Sequence, residues 1–296
     1  MKKLLILGAN SYLGYWIADA FSGSSTVKPI IVGRKKSEKL ARFEQYECLD
    51  FQSSRLKEFF SQARPDFIIN CVGVSEASQE KQMMRWNAEF PQEVVALTKK
   101  VGVQPERIIF LGSAAEYGVP TRLPVREDDT LHPLTAYGNS KSALASFVKQ
   151  TAAAGAPVTL ARVFNPVGPG LSSRFPVGNF IEQIKKLKSG DTLHCGDLSV
   201  VRDFIDVRDV AAAIQTLLFS SSQEAVFNVC SGESVSLQLC LDELIKMSGK
   251  SFKVEEDAAL KKTLVRTIYG SADRLKALGW KPRYSLSQTL RYALTY

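Results

Sequence analysis

A tyrosine and a lysine stand four residues apart in the segment LHPLTAYGNSKSALASF, at Tyr137 and Lys141. Positions four apart lie on one face of a helix, so both side chains can point into the same cleft. A free phenol has a pKa of about 10, so Tyr137 needs a nearby positive charge to exchange protons at neutral pH. Lys141 supplies that charge, and the pair therefore indicates acid–base chemistry. Ordinary helix surface is the alternative, because such pairs also arise by chance.

A serine is the third candidate for chemistry. Ser113 lies in FLGSAAEYG, just after an apolar run from Arg107 to Leu111 that predicts a buried strand. Ligands sit at the carboxyl ends of strands in open α/β sheets, so Ser113 and the start of the Tyr137 helix should converge at that edge. We therefore predict that Ser113, Tyr137 and Lys141 form the catalytic group.

Alternating strand and helix patterns supply the frame for these side chains. Apolar runs predict the strands Lys3–Leu7, Pro29–Val32, Phe67–Asn70, Arg107–Leu111 and Val158–Val163. Helical spacing between them predicts the helices Tyr12–Phe21, Gln82–Val101 and Ala136–Ala153. This alternation predicts an α/β fold with a Rossmann-like, doubly wound parallel sheet.

The character of the sequence changes after Phe164, where NPVGPGLSSRFPVGN is rich in Pro, Gly and Ser and predicts a loop. Shorter elements are predicted beyond it, at Phe180–Lys188, Val207–Phe219, Ala225–Val229 and Leu237–Met247. We predict a nucleotide-binding domain over residues 1–165, to which residues 204–229 return. Residues 166–203 and 230–296 are predicted to form a smaller α/β substrate-binding lobe docked tightly on it.

The turn GANSYLG joins the first predicted strand to the first predicted helix. Backbone amides and the positive end of a helix hold a pyrophosphate in such a turn. The middle glycine usual at this spacing is replaced by Ser11, whose Cβ limits the approach of the phosphates and whose hydroxyl is a candidate contact. An ordinary strand-to-helix turn is the alternative. The predicted cofactor contacts in the turn are Gly8, Asn10, Ser11, Tyr12, Leu13 and Gly14.

The end of the second strand decides which cofactor is predicted. An NAD site normally has a carboxylate there, about 20 residues after the glycines. Here the sequence reads GRKK, and Arg34 suits the extra phosphate of NADP, although a solvated basic loop is the alternative. We predict NADP, with NAD possible. Further predicted contacts are Asp50, which either accepts the adenine amino group or caps the next helix, and Phe51, Cys71, Val72, Gly73 and Asn87.

A series of motifs in chain order resembles the extended short-chain dehydrogenase/reductase family, the NAD-dependent epimerase/dehydratase family that works on nucleotide sugars. The motifs are the glycine turn, RWNAEF, LGSAAEYG, YGNSK, RVFNPVGPG, RDFIDVRDV and FNVCSGESVSL, and they cover nearly the whole chain. The resemblance implies that Tyr137 exchanges a proton with the substrate and that Lys141 also binds the nicotinamide ribose. It implies that Ser113 hydrogen-bonds the substrate hydroxyl or carbonyl during hydride transfer.

The two residues that follow Ser113 indicate which reactions of the family this chain catalyses. Dehydratases of the family carry an Asp-Glu pair straight after the catalytic serine or threonine, and here those positions are Ala114 and Ala115. Glu116 comes one residue late and should face elsewhere on a strand exit, so we expect no dehydration. The cysteine that epimerising fucose-synthase-like enzymes place beside the serine is also absent. We interpret the adjacent His194 and Cys195 as structural.

Two reactions remain open on the sequence. One is NADPH-dependent reduction of the 4-keto group of a nucleotide-linked 6-deoxy-4-keto-hexose, and the other is NAD-dependent 4-epimerisation of a nucleotide sugar. Arg34 favours the reductase, and the segments from RVFNPVGPG to FNVCSGESVSL most resemble GDP-4-keto-6-deoxy-mannose reductases. A non-catalytic NADP-binding regulator is the alternative of another class, but such proteins typically lose the Tyr-Lys pair.

The substrate is predicted to bind through guanidinium and amide groups. Arg202 is the first candidate for the diphosphate and Arg266 the second, because guanidinium groups match phosphate oxygens. Asn165 and Asn179 are candidates for the sugar or phosphate. The alternatives are an ion pair of Arg202 with Asp203, a surface role for Arg266, and turn formation by the asparagines.

Composition limits the function classes. The chain has 296 residues, of which 45% are hydrophobic and 23% charged, an ordinary globular balance without a run long enough to cross a membrane. The net charge of +8 comes from dispersed Lys and Arg, so we predict an anionic small molecule as partner and no nucleic acid. Five cysteines without metal-type spacing predict reduced thiols, no metal site and a cytoplasmic location.

The family resemblance also implies a homodimer. Its members often dimerise through the helices predicted here over Gln82–Val101 and around Tyr137. The second helix carries an apolar group that is either a contact surface or a core face, formed by Ala143, Leu144, Phe147 and Val148.

Overall fold

The computed structural model describes residues 1–48, 51, 53–75, 79–257 and 264–296. The strands, in chain order, are β1 (Lys2–Leu7), β2 (Val27–Gly33), β3 (Glu44–Glu47), β4 (Phe67–Asn70), β5 (Arg107–Ser113), β6 (Val158–Val163), β7 (Asn165–Val167), β8 (Thr192–Cys195), β9 (Val201–Arg202), β10 (Phe204–Asp206), β11 (Val226–Val229), β12 (Val235–Ser236), β13 (Lys253–Glu256) and β14 (Thr267–Ile268). The helices, in chain order, are α1 (Tyr12–Ala20), α2 (Ser53–Ala63), α3 (Glu80–Met84), α4 (Phe90–Lys100), α5 (Ala136–Ala153), α6 (Pro176–Lys186), α7 (Val207–Phe219), α8 (Leu237–Ser248), α9 (Asp273–Lys276) and α10 (Leu286–Thr295).

Parallel strands form the centre of the molecule. In the described part of the chain, seven of them pair in the order β11-β6-β5-β4-β1-β2-β3. β4 and β6 are buried along their whole length, as expected of parallel strands that helices cover on both faces. The predicted α/β fold with a doubly wound parallel sheet is confirmed.

The strand order reverses around β1, which pairs with β2 on one side and with β4 on the other. Leu7, at the end of β1, lies opposite Val32 in β2 and Asn70 in β4. The loops that leave β1 and β4 therefore flank one crevice, which is where ligands bind in open α/β sheets. The glycine turn is the loop that leaves β1.

Helices cover both faces of the sheet. On one face, α1 and α7 pack together, and their apolar side chains include Ile17, Ala18 and Ile214. On the other face, α2, α4 and α5 contribute side chains such as Phe60 and Phe90. Among the described residues, no helix combines the length and the apolar composition needed to cross a membrane.

The apolar group on α5 is a core face. Leu144 is 2% exposed and Val148 is fully buried, and both belong to the core between α5 and the sheet. Phe147 packs against the same core. Burial inside the chain explains why these positions are apolar, so they give no support to an interface, and the homodimer stays a prediction.

A third apolar core lies beside the sheet, where α6, α8 and α10 meet. Its side chains include Phe180, Leu241 and Leu290. Ile268 and Trp280, which follow later in the chain, pack instead in the core of the central sheet. The predicted division into residues 1–165 with 204–229 and residues 166–203 with 230–296 stays a prediction.

Two segments differ from their predicted structure. The loop predicted after Phe164 begins with β7, which is held by parallel pairing with β10, a tertiary interaction that no local pattern reveals. The loop ends at Pro176, where α6 starts four residues earlier than the predicted Phe180, because proline is favourable in a first helical turn. The single helix predicted over Gln82–Val101 is interrupted by a π-helical turn at Arg85–Glu89.

Candidate active site

The glycine turn brings the start of α1 against the end of β1. Gly8 has φ +75°, a left-handed conformation that favours glycine, and a Cβ at Gly14 would collide with the Gly8 carbonyl oxygen. The hydroxyl of Ser11 caps α1, because it accepts the Gly14 N–H at 3.1 Å. The same hydroxyl donates to the Cys71 carbonyl at 3.4 Å, and its predicted contact with a phosphate stays a prediction. The N–H groups of the first helical turn, at Tyr12 and Leu13, lack intrahelical partners and are suited to bind an anion.

The loop after β4 forms the opposite wall of the crevice, and Asn87 holds it in place. The Asn87 amide nitrogen donates to the Val74 carbonyl at 2.8 Å and to the Ser140 hydroxyl at 2.9 Å, and its oxygen accepts the Val74 N–H at 2.9 Å. Asn87 is fully buried. Its side chain thus supports the loop, and the surfaces of Cys71, Val72 and Gly73 face the cleft.

Ser113 ends β5, and the Tyr137 helix docks against the turn that follows it. Thr135 caps α5 by accepting the Gly138 N–H at 3.0 Å. A Cβ at Gly138 would lie 2.7 Å from the Ala115 carbonyl oxygen, so glycine at this position allows the close approach. The Ser113 side chain lies close enough to the Tyr137 phenol to lower its pKa. The predicted convergence of strand end and helix start is thus present.

Lys141 lies beneath Tyr137 on the same helix face. Its Nζ is 5.9 Å from the centroid of the Tyr137 ring and donates to the Leu111 carbonyl at 2.8 Å. Only 7% of Lys141 is exposed. The spacing of four residues therefore places phenol and ammonium together at the floor of one cleft.

Burial dominates the titration of both groups. It raises the pKa of Tyr137, against the effect of the Ser113 hydrogen bond and with a further rise from the negative charge of Glu116. Burial also lowers the pKa of Lys141 to about 8, opposed by Glu116 and Cys71. The expectation that the ammonium lowers the pKa of the phenol is not met, because desolvation outweighs it. Tyr137 therefore holds its proton at neutral pH.

These residues share a cleft of about 700 Å³ between the sheet edge and the elements after β6. Among the described residues that line it, the charged side chains are Lys141 and Arg202, and none is a carboxylate. The predicted site residues that line it are Ser11, Tyr12, Leu13, Cys71, Val72, Gly73, Ser113, Tyr137, Lys141, Asn165 and Arg202. The cleft is therefore electrostatically suited to an anionic ligand.

Arg202 is held in the cleft by backbone carbonyls. Its guanidinium donates to Val201 O at 2.7 Å, to Val265 O at 2.8 Å and to Arg266 O at 3.2 Å. Asp203 turns away, and its carboxylate accepts the N–H and O–H of Ser231, each at 2.7 Å. The alternative of an Arg202–Asp203 ion pair is therefore wrong, and Asp203 leaves the charge of Arg202 unneutralised.

Other predicted contacts lie outside the cleft lining. Arg34 is exposed directly after β2, beside the glycine turn, where Asn10 Nδ2 donates to Lys35 O at 2.6 Å. The Asn179 oxygen accepts a hydrogen bond from Gln183, and Arg266 is exposed. Asp50 lies outside the described residues.

Phe51 is a further predicted contact whose side chain points elsewhere. It is 4% exposed and packs edge-on against Phe90 in the core between the sheet and its covering helices. Only its main chain is left to face a ligand. His194 and Cys195 lie in β8, with the backbone of His194 bonded to the Gln183 side chain, which fits the structural interpretation. Within the described ranges, no group of His, Cys, Asp or Glu side chains could hold a metal ion.

Sequence reasoning gave no role to two fully buried residues behind Ser113. Glu116 accepts the Ser113 N–H at 2.7 Å and pairs with Arg162 at 2.8 Å. The S-x-x-E spacing of Ser113 and Glu116 is the signature of a capping box and could have revealed the first contact. The position of Arg162 inside an apolar strand gave no comparable signal. Glu116 faces away from the cleft, as predicted.

Comparison with known proteins adds the following. The profile described as the NAD dependent epimerase/dehydratase family matches residues 4–230. A GDP-6-deoxy-D-mannose reductase from Pseudomonas aeruginosa is 33% identical over 195 residues. The aligned part is 63% of this chain and 64% of the relative, so this chain spans just under two thirds of the relative's length. A dTDP-6-deoxy-L-talose 4-dehydrogenase (NAD(P)(+)) from Kitasatospora kifunensis is 25% identical over 300 residues, 98% of this chain and 93% of the relative.

Solved structures show the same likeness over the full chain. The structure of RMD from Pseudomonas aeruginosa complexed with NADPH matches with a TM-score of 0.84 and 25% identity, covering 100% of this chain and 98% of that chain. A UDP-glucose 4-epimerase with UDP-glucose from Thermotoga maritima matches with a TM-score of 0.88 and 22% identity, covering 99% and 98%. The second likeness shows the fold alone.

Proposed function

The chain belongs to the NAD-dependent epimerase/dehydratase family, and we propose that it is an enzyme that uses NADPH to reduce the 4-keto group of a nucleotide-linked 6-deoxy-4-keto-hexose. The observation that carries this proposal is the cleft itself. Ser113, Tyr137 and Lys141 meet at its floor, and its described charged lining side chains are both cations. The similarity to a GDP-6-deoxy-D-mannose reductase supports the choice of substrate class.

The residues present fit a nicotinamide dinucleotide. The first-turn amides of α1 face the switch point of the sheet, and the glycine turn leaves them open to a pyrophosphate. Glycine at position 73 lets the loop after β4 pack closely on its support, because a Cβ there would lie 2.8 Å from Asn87 Oδ1. When bound, the cofactor supplies a hydride for the carbonyl carbon. Lys141 would hold its ribose, and Arg34 would bind the extra phosphate of NADPH.

Tyr137 moves the proton. Its raised pKa keeps the phenol protonated, so its Oη–H can be transferred to the oxygen of a keto group that becomes an alkoxide. Ser113 orients that oxygen with a hydrogen bond. After transfer, the Ser113 hydroxyl and the ammonium of Lys141 stabilise the phenolate that remains.

Arg202 and Asn165 bind the other part of the substrate. The guanidinium of Arg202 lines the cleft and has no carboxylate partner among the described residues, so a diphosphate would supply the counter-charge. The Asn165 nitrogen donates to Asp203 O at 2.9 Å, which leaves its oxygen to accept a sugar hydroxyl. Roles for Asn179 and Arg266 would require movement toward the cleft.

The enzyme is tested with NADPH and a series of nucleotide-linked 6-deoxy-4-keto-hexoses that differ in base. We expect NADPH oxidation matched by formation of a 4-hydroxy product. We also expect the purified protein to be free of bound cofactor and to bind NADPH more tightly than NADH, because Arg34 replaces the usual carboxylate. Equal affinity for the two cofactors would argue against the role of Arg34.

A 4-epimerase that retains NAD is the second candidate. The observation in its favour is the matched family profile, whose description names epimerases, because the same three catalytic side chains would serve both reactions. Denaturing the protein and identifying the released cofactor separates the candidates. Stoichiometric NAD would favour the epimerase, and no turnover of any nucleotide sugar would favour a regulatory NADP-binding protein.

The setting of the enzyme is also part of the proposal. We place it in the cytoplasm as a homodimer with no nucleic acid or membrane partner. The five cysteines all belong to the described part of the chain and are buried as thiols, which supports a reducing compartment. Sedimentation at equilibrium tests the dimer.

A further inference from the structure

A buried ion pair lies directly behind Ser113. The side chains of Glu116 and Arg162 are 0% exposed, and Arg162 Nε donates to Glu116 Oε2 at 2.8 Å. Burying two charges is costly unless they are paired and hydrogen-bonded, and replacement by apolar residues often gives equal stability. Stability is therefore a weak reason for this pair, and the proposed reaction assigns it no task.

The second oxygen of Glu116 reaches the backbone of Ser113. Glu116 Oε1 accepts the Ser113 N–H at 2.7 Å, and the Ser113 hydroxyl accepts the Ala115 N–H at 3.2 Å. Together these bonds fix the backbone and one lone pair of Ser113. The hydroxyl proton of Ser113 is then free to point at Tyr137, whose pKa the Ser113 side chain lowers.

The residue before Ser113 makes room for this contact. A Cβ at Gly112 would lie 2.5 Å from Glu116 Oε1 and 3.1 Å from the Leu160 side chain. Arg162 in turn is anchored, because its Nη1 donates to the Tyr117 hydroxyl at 2.7 Å. The missing side chain at Gly112 and the anchored guanidinium of Arg162 thus hold the carboxylate of Glu116 in place beside Ser113.

The same carboxylate lies near Lys141, because Lys141 Nζ donates to the Leu111 carbonyl at 2.8 Å and Glu116 Oε1 lies against Gly112, the next residue. Within the described part of the chain, the titratable groups found to act on Lys141 or to lie over it are Glu116 after β5, the Cys71 thiol after β4 and the Tyr137 phenol on its own helix. Glu116 and Cys71 both oppose the effect of burial, which holds the pKa of Lys141 at about 8. Glu116 is the carboxylate of this set, and its Oε2 is ion-paired with Arg162 Nε at 2.8 Å.

We propose that Glu116 is a positioning residue, which holds Ser113 in its reactive orientation and supplies the negative charge that faces the Lys141 ammonium. The effect on turnover rests on the proposed function. The effect on Lys141 does not, because it is measured without cofactor or substrate.

Substitution of Glu116 by Gln removes the negative charge. Gln has one oxygen, which can accept the Ser113 N–H, but its NH2 group then faces Arg162 Nε–H, so the contact with Arg162 is lost together with the charge. The protonation midpoint of Lys141, measured by competitive acylation across a pH series and mass spectrometry, should fall below its value in the unmodified protein. We expect kcat to fall about tenfold with little change in KM, and the high-pH limb of the kcat profile to move to lower pH.

Substitution of Gly112 by Ala is the complementary change. The new Cβ displaces the carboxylate from Ser113 and keeps its charge. A displacement of this kind near the reacting groups lowers kcat by about 10- to 100-fold, while the acylation midpoint of Lys141 should stay close to that of the unmodified protein.

Asp209→Asn is the matched control. Asp209 is 1% exposed and accepts the N–H groups of Arg283 and Tyr284, so its substitution reports the loss of a buried carboxylate elsewhere. It should lower the melting temperature and leave kcat and the Lys141 midpoint unchanged. If Glu116→Gln behaves in the same way, Glu116 is only structural and the proposal is overturned.

Two further outcomes are decisive. If Glu116→Gln does not fold, Gly112→Ala carries the test, and unchanged kcat in that variant overturns the proposal. If the Lys141 midpoint falls in Glu116→Gln but no nucleotide sugar is reduced by either protein, the electrostatic part of the proposal is supported and the proposed function fails.

Discussion

The two cations of the cleft are held in different ways. Lys141 sits at the catalytic floor, where the buried carboxylate of Glu116 faces it from inside the protein. Arg202 sits at the other end and bonds only backbone carbonyls among the described residues, and Asp203 beside it turns away. An internal counter-charge suits a group that must stay protonated through a reaction. A cation without a carboxylate partner suits a site that receives its counter-charge from a ligand.

This difference predicts distinct kinetic effects at the two ends. Changes at the floor should act on kcat, because they affect groups at the reacting atoms. Changes at Arg202 should act on KM, because a diphosphate is bound equally in the ground state and the transition state.

The largest effect is expected from Tyr137→Phe at the catalytic floor. Loss of the proton donor should lower kcat by about 10²- to 10⁴-fold and leave the affinity for NADPH nearly unchanged. Steady-state kinetics and fluorescence titration with NADPH measure the two quantities. Turnover close to that of the unmodified enzyme would show that Tyr137 is not the proton donor.

An intermediate effect is expected from Arg202→Met at the anion end. Loss of a charge-assisted contact should raise KM for the nucleotide sugar by about 10- to 100-fold and change kcat little. It should also weaken the dependence of KM on salt. Arg266→Met is the matched control, because Arg266 is exposed and meets Arg202 only through its carbonyl. An equal rise in KM in the Arg202→Met and Arg266→Met variants would contradict a specific role of Arg202 in binding the diphosphate.

The smallest effect concerns Asp203, which holds the segment beside Arg202 and has a pKa raised from 3.8 to about 6, chiefly by burial. Between these values the folded chain keeps a proton that the unfolded chain releases. This stabilisation is complete below the unfolded pKa and is lost as the pH rises through the folded pKa. Relative to Asp203→Asn, the unmodified protein should lose about 1 to 2 kcal/mol of unfolding free energy between roughly pH 5 and pH 7.

Urea unfolding of both proteins at each pH measures that difference. A difference between them that does not change with pH would mean that Asp203 titrates normally, and that its hydrogen bonds to Ser231 and Gly232 offset its burial.

The sequence predicted the floor of the cleft better than its anion end. Tyr137 and Lys141 are four residues apart on one helix, and Ser113 ends an adjacent strand, so local periodicity and the topology of a parallel sheet suffice to place them together. Arg202 was named from its chemistry alone. Its freedom from Asp203 depends on where the segments around Ser231 and Arg266 fold back, which no spacing in the sequence encodes.

Predicted cofactor contacts show the same limit. The glycine turn could be predicted from its own seven residues. The Ser11 hydroxyl, however, caps the following helix, and the Asn87 amide bonds the loop after β4. These polar side chains bond the backbone, which the sequence did not indicate, and their predicted contacts with a cofactor stay predictions. The ion pair of Glu116 with Arg162 was missed because the two residues are 46 positions apart and meet only through the pairing of β5 with β6.

The proposed reaction is tested most directly by isotope transfer. The protein is supplied with a nucleotide-linked 6-deoxy-4-keto-hexose and with NADPH that carries deuterium at the transferable position, and the product is analysed by mass spectrometry and NMR. We expect one NADPH to be oxidised for each product formed, with the deuterium on carbon 4. A product without deuterium and without NADPH consumption, or no product at all, would contradict the assignment of this protein as a 4-keto reductase.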